Sequence, residues 1–181
     1  MPPMPQRIDD PAPWILGATE ALNRHGSWTG RIHIHKLLFV TQILELAKPP
    51  FKFVVHDFGP YSFELDEEII NLGLIGHLDH SYPTPGYGPR YEPTPQGRVI
   101  AAGLPDESAK AAIRRVAEEF GDRDSQKLEL LATALWAEKK EQKTKDEEII
   151  SWVVERKPKY NEEEVRRGLE DARGLVVSLS R

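Results

Sequence analysis

Two histidines one residue apart, His33 and His35 in "GRIHIHKLL", are the first residues whose types and spacing suggest chemistry. Imidazole is a common metal ligand. On a helix, however, residues i and i+2 point about 200° apart and cannot share an ion. On a strand they would share a face, but no acidic or histidine partner stands near them. The pair reads as ordinary surface or satisfied core histidines, and no metal is expected. His56-Asp57 and Asp79-His80 are adjacent pairs in or beside strands, where neighbours face opposite ways. Carboxylates cluster in "ELDEE" and "NEEE", at helix starts that the helix dipole accounts for. "GYGPR" has two glycines but no following helical run, so it is a turn and not a phosphate cradle. No nucleophile elbow or HExxH pattern occurs. The reading is non-enzymatic, with no catalytic residue and no cofactor.

Composition narrows the classes further. The chain has 181 residues, 39% hydrophobic and 29% charged, as in a soluble globular protein. It has no cysteine, which excludes disulfides, thiol catalysis and Cys-based zinc sites. No apolar run approaches the roughly 20 residues that span a bilayer. The start "MPPMPQRIDDPAP" lacks an apolar signal core, and a cytoplasmic protein is expected. Net charge is −5, the wrong overall sign for a protein that lives on nucleic acid.

The elements that would position these residues follow from periodicity and punctuation. Residues 1–13 carry five prolines and read as a loose N-terminal arm. A helix follows from Trp14, with Ile15, Ala18 and Leu22 on one face and Gly26 as its cap. The run from Gly30 to Ala47 is read as a second helix despite the strand-like alternation of Ile32 to His35; Pro49-Pro50 stops it. "FKFVVHDF" is aromatic and β-branched, hence a short strand over 51–58. Gly59, Pro60, Tyr61 and Ser62 then form a structural joint. Gly59 permits the exit from the strand, Pro60 fixes the turn outside the ladder, Tyr61 packs its ring and hydrogen-bonds its hydroxyl, and Ser62 caps the next helix. That helix carries Leu65, Ile69 and Leu72 at i, i+4 and i+7. Two strand-like pieces around "PTPGYGP" read as a hairpin, and Thr94-Pro95 opens another helix.

This order is that of a winged helix-turn-helix core over 14–104, with the hairpin as the wing. Residues 105–181 read as a helical extension packed on it, so the fold class is mostly α with a small β component. The extension carries stripes at Ala109, Ile113, Val116 and Phe120, then at Leu128, Leu131, Ala132 and Leu135. Two capping boxes are expected there, Thr144 with Glu147 and Asn161 with Glu164.

Several segments together resemble a known group. "TGRIHIHKLLFVTQILEL", "FKFVVHDFGPYSFELDEEIINLGLIG" and "YEPTPQGR" are similar to YwgA-like bacterial proteins, and more distantly to SocA-type (Panacea) antitoxins and phage-associated proteins. Pro93 stands where a Leu is usual and His35 where a Gln is usual. The resemblance implies a winged-helix-like core with a helical extension and association with regulators, toxins or mobile elements. It brings no active site.

Two functions are weighed. A winged helix binds DNA by placing the helix after "GPYS" in the major groove. From Phe63 through Pro89, however, there is no Lys or Arg, only five acids and two histidines. DNA affinity rests mainly on cationic contacts to phosphate. The alternative DNA-binding set is Arg31, Lys36, Lys48, Lys52 and Arg90. The preferred reading is a regulatory protein that binds and restrains a partner protein, such as a basic toxin or nuclease. Its expected contact residues are Glu64, Glu67 and Glu68, with Tyr82 and Tyr87 of the wing as aromatic anchors. A homodimer is compatible with either reading.

Overall fold

Helix α1 (Ala12–Arg24) begins two residues earlier than periodicity alone suggests. Pro13 fits the first helical turn, where its missing N–H is not needed, and Asp10 Oδ1 accepts a hydrogen bond from the Ala12 N–H at 3.1 Å. In the computed structural model residues 10–181 are described; the remainder of the N-terminal arm, residues 1–9, lies outside them. Helix α2 (Arg31–Ile43) includes the whole Ile32–His35 stretch, so the alternation there is not a strand. Burial explains the misleading pattern. Every residue from His33 to Thr41 is buried, so polar and apolar positions alike face protein.

The expected strand over 51–58 shrinks to β1 (Val54–His56), and the joint contains a strand of its own, β2 (Gly59–Tyr61). The two pair antiparallel, Val54 opposite Tyr61, Val55 opposite Pro60 and His56 opposite Gly59. Pro60 therefore sits within the ladder, and the turn is at Asp57-Phe58, not at Pro60. Proline is tolerated because this sheet has only two strands, which leaves one side of each free of partners. Gly59 is required. Its φ is +81°, and a Cβ there would meet Thr133 Oγ1 at 2.7 Å.

Helix α3 (Phe63–Leu74) follows directly, and its N-cap Ser62 Oγ accepts from the Leu65 N–H at 3.3 Å. The second hairpin is β3 (Leu78–Ser81) with β4 (Arg90–Pro93), antiparallel with Leu78 opposite Pro93. β4 is also tied to the α1–α2 connection. The Tyr91 N–H donates to Thr29 O at 3.1 Å, and Thr29 Oγ1 donates to Tyr91 O at 2.6 Å. Helix α4 (Pro95–Ala101) is capped by Thr94, as its sequence predicts.

Helices α5 (Glu107–Phe120), α6 (Ser125–Lys139), α7 (Asp146–Arg156) and α8 (Glu162–Leu179) complete the chain. The Asn161–Glu164 capping box is present in both directions at 2.9 Å. The Thr144–Glu147 box is not: the N-cap is Lys145, without a side-chain cap, and the acidic first turn of α7 offsets the dipole instead. One apolar core joins all eight helices, with Leu16, Leu37, Leu65, Ala101, Ile113, Leu131, Ile149 and Leu169 among its members. Helix α6 lies at its centre and is buried on every side from Leu128 to Leu135. The fold is mostly helical with two small antiparallel strand pairs. Among the described residues no helix is long and apolar enough to cross a membrane.

Candidate interaction surface on α3 and its buried support

Helix α3 has two apolar faces. Leu65, Ile69 and Leu72 point into the core. On the opposite side Phe63 is 56%, Ile70 46% and Leu74 81% exposed, at i, i+7 and i+11, and Ile75 continues the row at 62%. Such spacing is a helical stripe, here turned to solvent. Glu64 and Glu67 are exposed alongside it, and Glu68 is half-buried, accepting from Asn71 Nδ2 at 3.4 Å. The stripe continues onto the first hairpin. The Phe63 ring meets those of His56 and Tyr61 edge-on, at 5.5 and 5.3 Å.

The side of α3 nearer the core is anchored through Asp66. Its Oδ2 accepts from the Arg31 guanidinium at 3.1 Å, and Arg31 Nε also donates to the Tyr91 hydroxyl at 3.1 Å. The Tyr61 hydroxyl faces the same carboxylate; burial, then the Asp66 hydrogen bond, push its pKa up to about 12. The Tyr61 ring stacks on His35 at 4.3 Å, nearly parallel. His35 Nδ1 lies 2.8 Å from Arg31 O and Nε2 3.1 Å from Ser62 O. A neutral ring has one N–H and can serve only one of these carbonyls. The two acceptors favour the imidazolium, but burial dominates and holds the pKa down to about 4. His33 contacts Arg123 O through Nε2 at 3.0 Å. Both histidines are thus bound to backbone carbonyls within the fold.

Lys36 is a correction to the basic set. It is fully buried and cannot touch nucleic acid. Its Nζ donates to Pro60 O at 2.7 Å, and burial lowers its pKa to about 7. Lys157, from the α7–α8 connection, donates to His56 O and Asp57 O, and pairs with Glu129 Oε1 at 3.2 Å. Two lysines thus hold three carbonyls of the β1–β2 hairpin, and His35 reaches a fourth at Ser62. This support ties the surface to the C-terminal helices. Sequence reasoning missed it. The only signals were a lysine inside the apolar run around "HKLLFV" and a glutamate between leucines in "LEL".

The remaining candidates are scattered. Arg90 donates to Asn23 Oδ1 at 3.4 Å and lies over the Trp28 ring, while Lys48 and Lys52 are exposed on the α2–β1 connection. With Lys36 buried and Arg31 paired, the five do not form a free cationic stripe. Tyr82 and Tyr87 are exposed on the β3–β4 turn, with Tyr87 leaning on Trp28 at 5.8 Å. Among the described residues no group of three His, Cys, Asp or Glu is placed to hold a metal. No protein family, no curated protein and no solved structure was found to match the chain.

Proposed function

We propose that this chain is a non-enzymatic regulatory protein with a winged-helix-like core, which binds and restrains a partner protein through the outer face of α3. One observation carries the reading: four large apolar side chains stand exposed in a row, with Glu64 and Glu67 exposed on the same helix and no Lys or Arg in the sequence from Phe63 through Pro89. Fully burying such a side chain contributes about 1.5–3 kcal/mol, so a partner that covers the row gains several such increments. The acids select a partner whose apolar strip is rimmed by lysine and arginine, such as the substrate-binding face of a toxin or nuclease. The resemblance to SocA-type antitoxins points the same way. The α1–α2–α3 and β3–β4 order supports the winged-helix assignment, and the extra β1–β2 hairpin between α2 and α3 departs from it. DNA binding through α3 is disfavoured because its acids would face phosphate.

The test is co-purification from the native host, followed by reconstitution with the purified partner. Phe63→Ser with Leu74→Ser, and separately the reversal of Glu64, Glu67 and Glu68 to Lys, should each abolish the complex while the melting curve stays cooperative. If a partner binds both variants as it binds the native chain, α3 is not the interface. Salt-dependent DNA binding by the native protein would favour the regulator reading instead.

A further inference from the structure

We propose that the groove between the β1–β2 turn and the start of α6 is a receptor for a side-chain cation of the lysine or arginine class, and that Lys159 is its internal occupant. The groove has a volume of about 380 Å³ and is lined in part by Phe58, Gln126, Glu129, Lys159 and Tyr160. It is separate from the outer face of α3 and does not depend on the reading of that face.

Its base is a carboxylate that is hard to explain by packing alone. Glu129 is only 3% exposed in the second turn of the core helix α6. Its Oε2 accepts from Lys159 Nζ at 3.0 Å and from the Tyr160 hydroxyl at 3.0 Å. Its Oε1 is paired with Lys157 at 3.2 Å but receives no hydrogen bond. Two aromatic rings complete the cup: Lys159 Nζ lies 5.7 Å from the Phe58 ring centre and 5.0 Å from that of Tyr160. A carboxylate with aromatic faces around it is the chemistry that recognises ammonium and guanidinium groups, including methylated ones. An anion would meet Glu129, and a divalent metal would find one carboxylate beside the Lys157 ammonium.

The occupant differs from its surroundings. Lys159 belongs to the connection between α7 and α8, and its side chain is 51% exposed, while those of Glu129 and Lys157 are each 4% exposed. A rotation of its flexible stem moves the ammonium into water. Glu129 then keeps Lys157 and Tyr160, and an incoming cation replaces Lys159 one for one, with no change of charge in the cup. Phe58 is 46% exposed at the turn, an apolar ring already positioned for that cation.

The probes are Nα-acetyl-lysine methylamide, its trimethylated form and the arginine equivalent, titrated into the isotope-labelled full chain. In Lys159→Met the cup is vacated, and affinity should rise roughly tenfold over the native chain, with amide shifts centred on Gln126 and Tyr160. Adding Phe58→Ala to Lys159→Met should reverse the gain by a similar factor, the size expected of a lost cation–π contact. Where Lys159→Met does not fold, single substitutions of the exposed Phe58 decide, with Phe58→Trp binding tightest, then Phe58, then Phe58→Ala. Equal affinity across either series, or shifts centred elsewhere, overturns the proposal.

Discussion

Helix α3 and the space beneath the β1–β2 hairpin invert the usual arrangement in opposite directions. On α3, Phe63, Ile70 and Leu74 stand in water; beneath the hairpin, Lys36, Glu129 and Lys157 stand out of it. The difference lies in what satisfies each group. The buried charges have partners within the chain, namely the carbonyls of His56, Asp57 and Pro60 and each other. The exposed apolar groups of α3 are covered only in part: Phe63 has its aromatic edge contacts, Ile70 is 46% exposed and Leu74 81%. The first arrangement holds the hairpin in place, and the second leaves a surface that gains by being covered.

The largest expected effect breaks the buried half. Glu129→Ala removes the carboxylate that pairs with Lys157 and whose charge also acts on Lys36, and should cost about 3–5 kcal/mol in chemical denaturation. A loss below 1 kcal/mol would mean that the lysines are satisfied by carbonyls alone.

The same half predicts a pH profile. His35 is held down to about 4 from 6.5, so between those values the unfolded chain binds the extra proton and stability rises with pH. Lys36 is held down to about 7 from 10.5, so the rise continues over that interval. Tyr61 is pushed up to about 12 from 10.0, so above pH 10 the native chain keeps the proton and stability falls. Taken by themselves, these three groups add stability up to about pH 10 and remove it above, with a slope of up to about 1.4 kcal/mol per pH unit where one proton separates the two states. Lys36→Met should flatten the limb between pH 7 and 10; an unchanged slope in melts across that range would assign it to other groups.

Smaller effects sharpen the contrast at the junction of the two regions. Ser62→Ala removes the α3 cap and should cost about 1 kcal/mol without altering partner affinity measured well below the melting point. The smallest stability change is expected on the outer face. Leu74→Ser should move stability by no more than about 0.5 kcal/mol, because this side chain is 81% exposed. A large loss there would show that the face is part of the fold and not an interface.

Much of the chain was legible because the signals are local. Ser62, Thr94 and Asn161 each accept from an N–H three residues on, and such caps can be read from adjacent residues. The β3–β4 hairpin was readable from its Pro/Gly turn, and the inward stripe of α3 from its spacing. β2 was not, because a proline in a ladder contradicts local preference and is admitted only by the open edge of a two-stranded sheet. The helical interpretation of α2 survived its strand-like alternation, but the burial of Lys36 within it was hidden.

The sequence by itself determined the helices, the caps at Ser62, Thr94 and Asn161, the β3–β4 hairpin and the acidic character of α3, since each depends on near neighbours in the chain. Only the tertiary structure decided which charges are withdrawn from water and which apolar row is left in it. Lys157 reaches His56 O across 101 residues of chain and Lys36 reaches Pro60 O across 24. Burial is a property of what packs against a residue, and the inward stripe of α3 is covered because α1 and β3 lie against it.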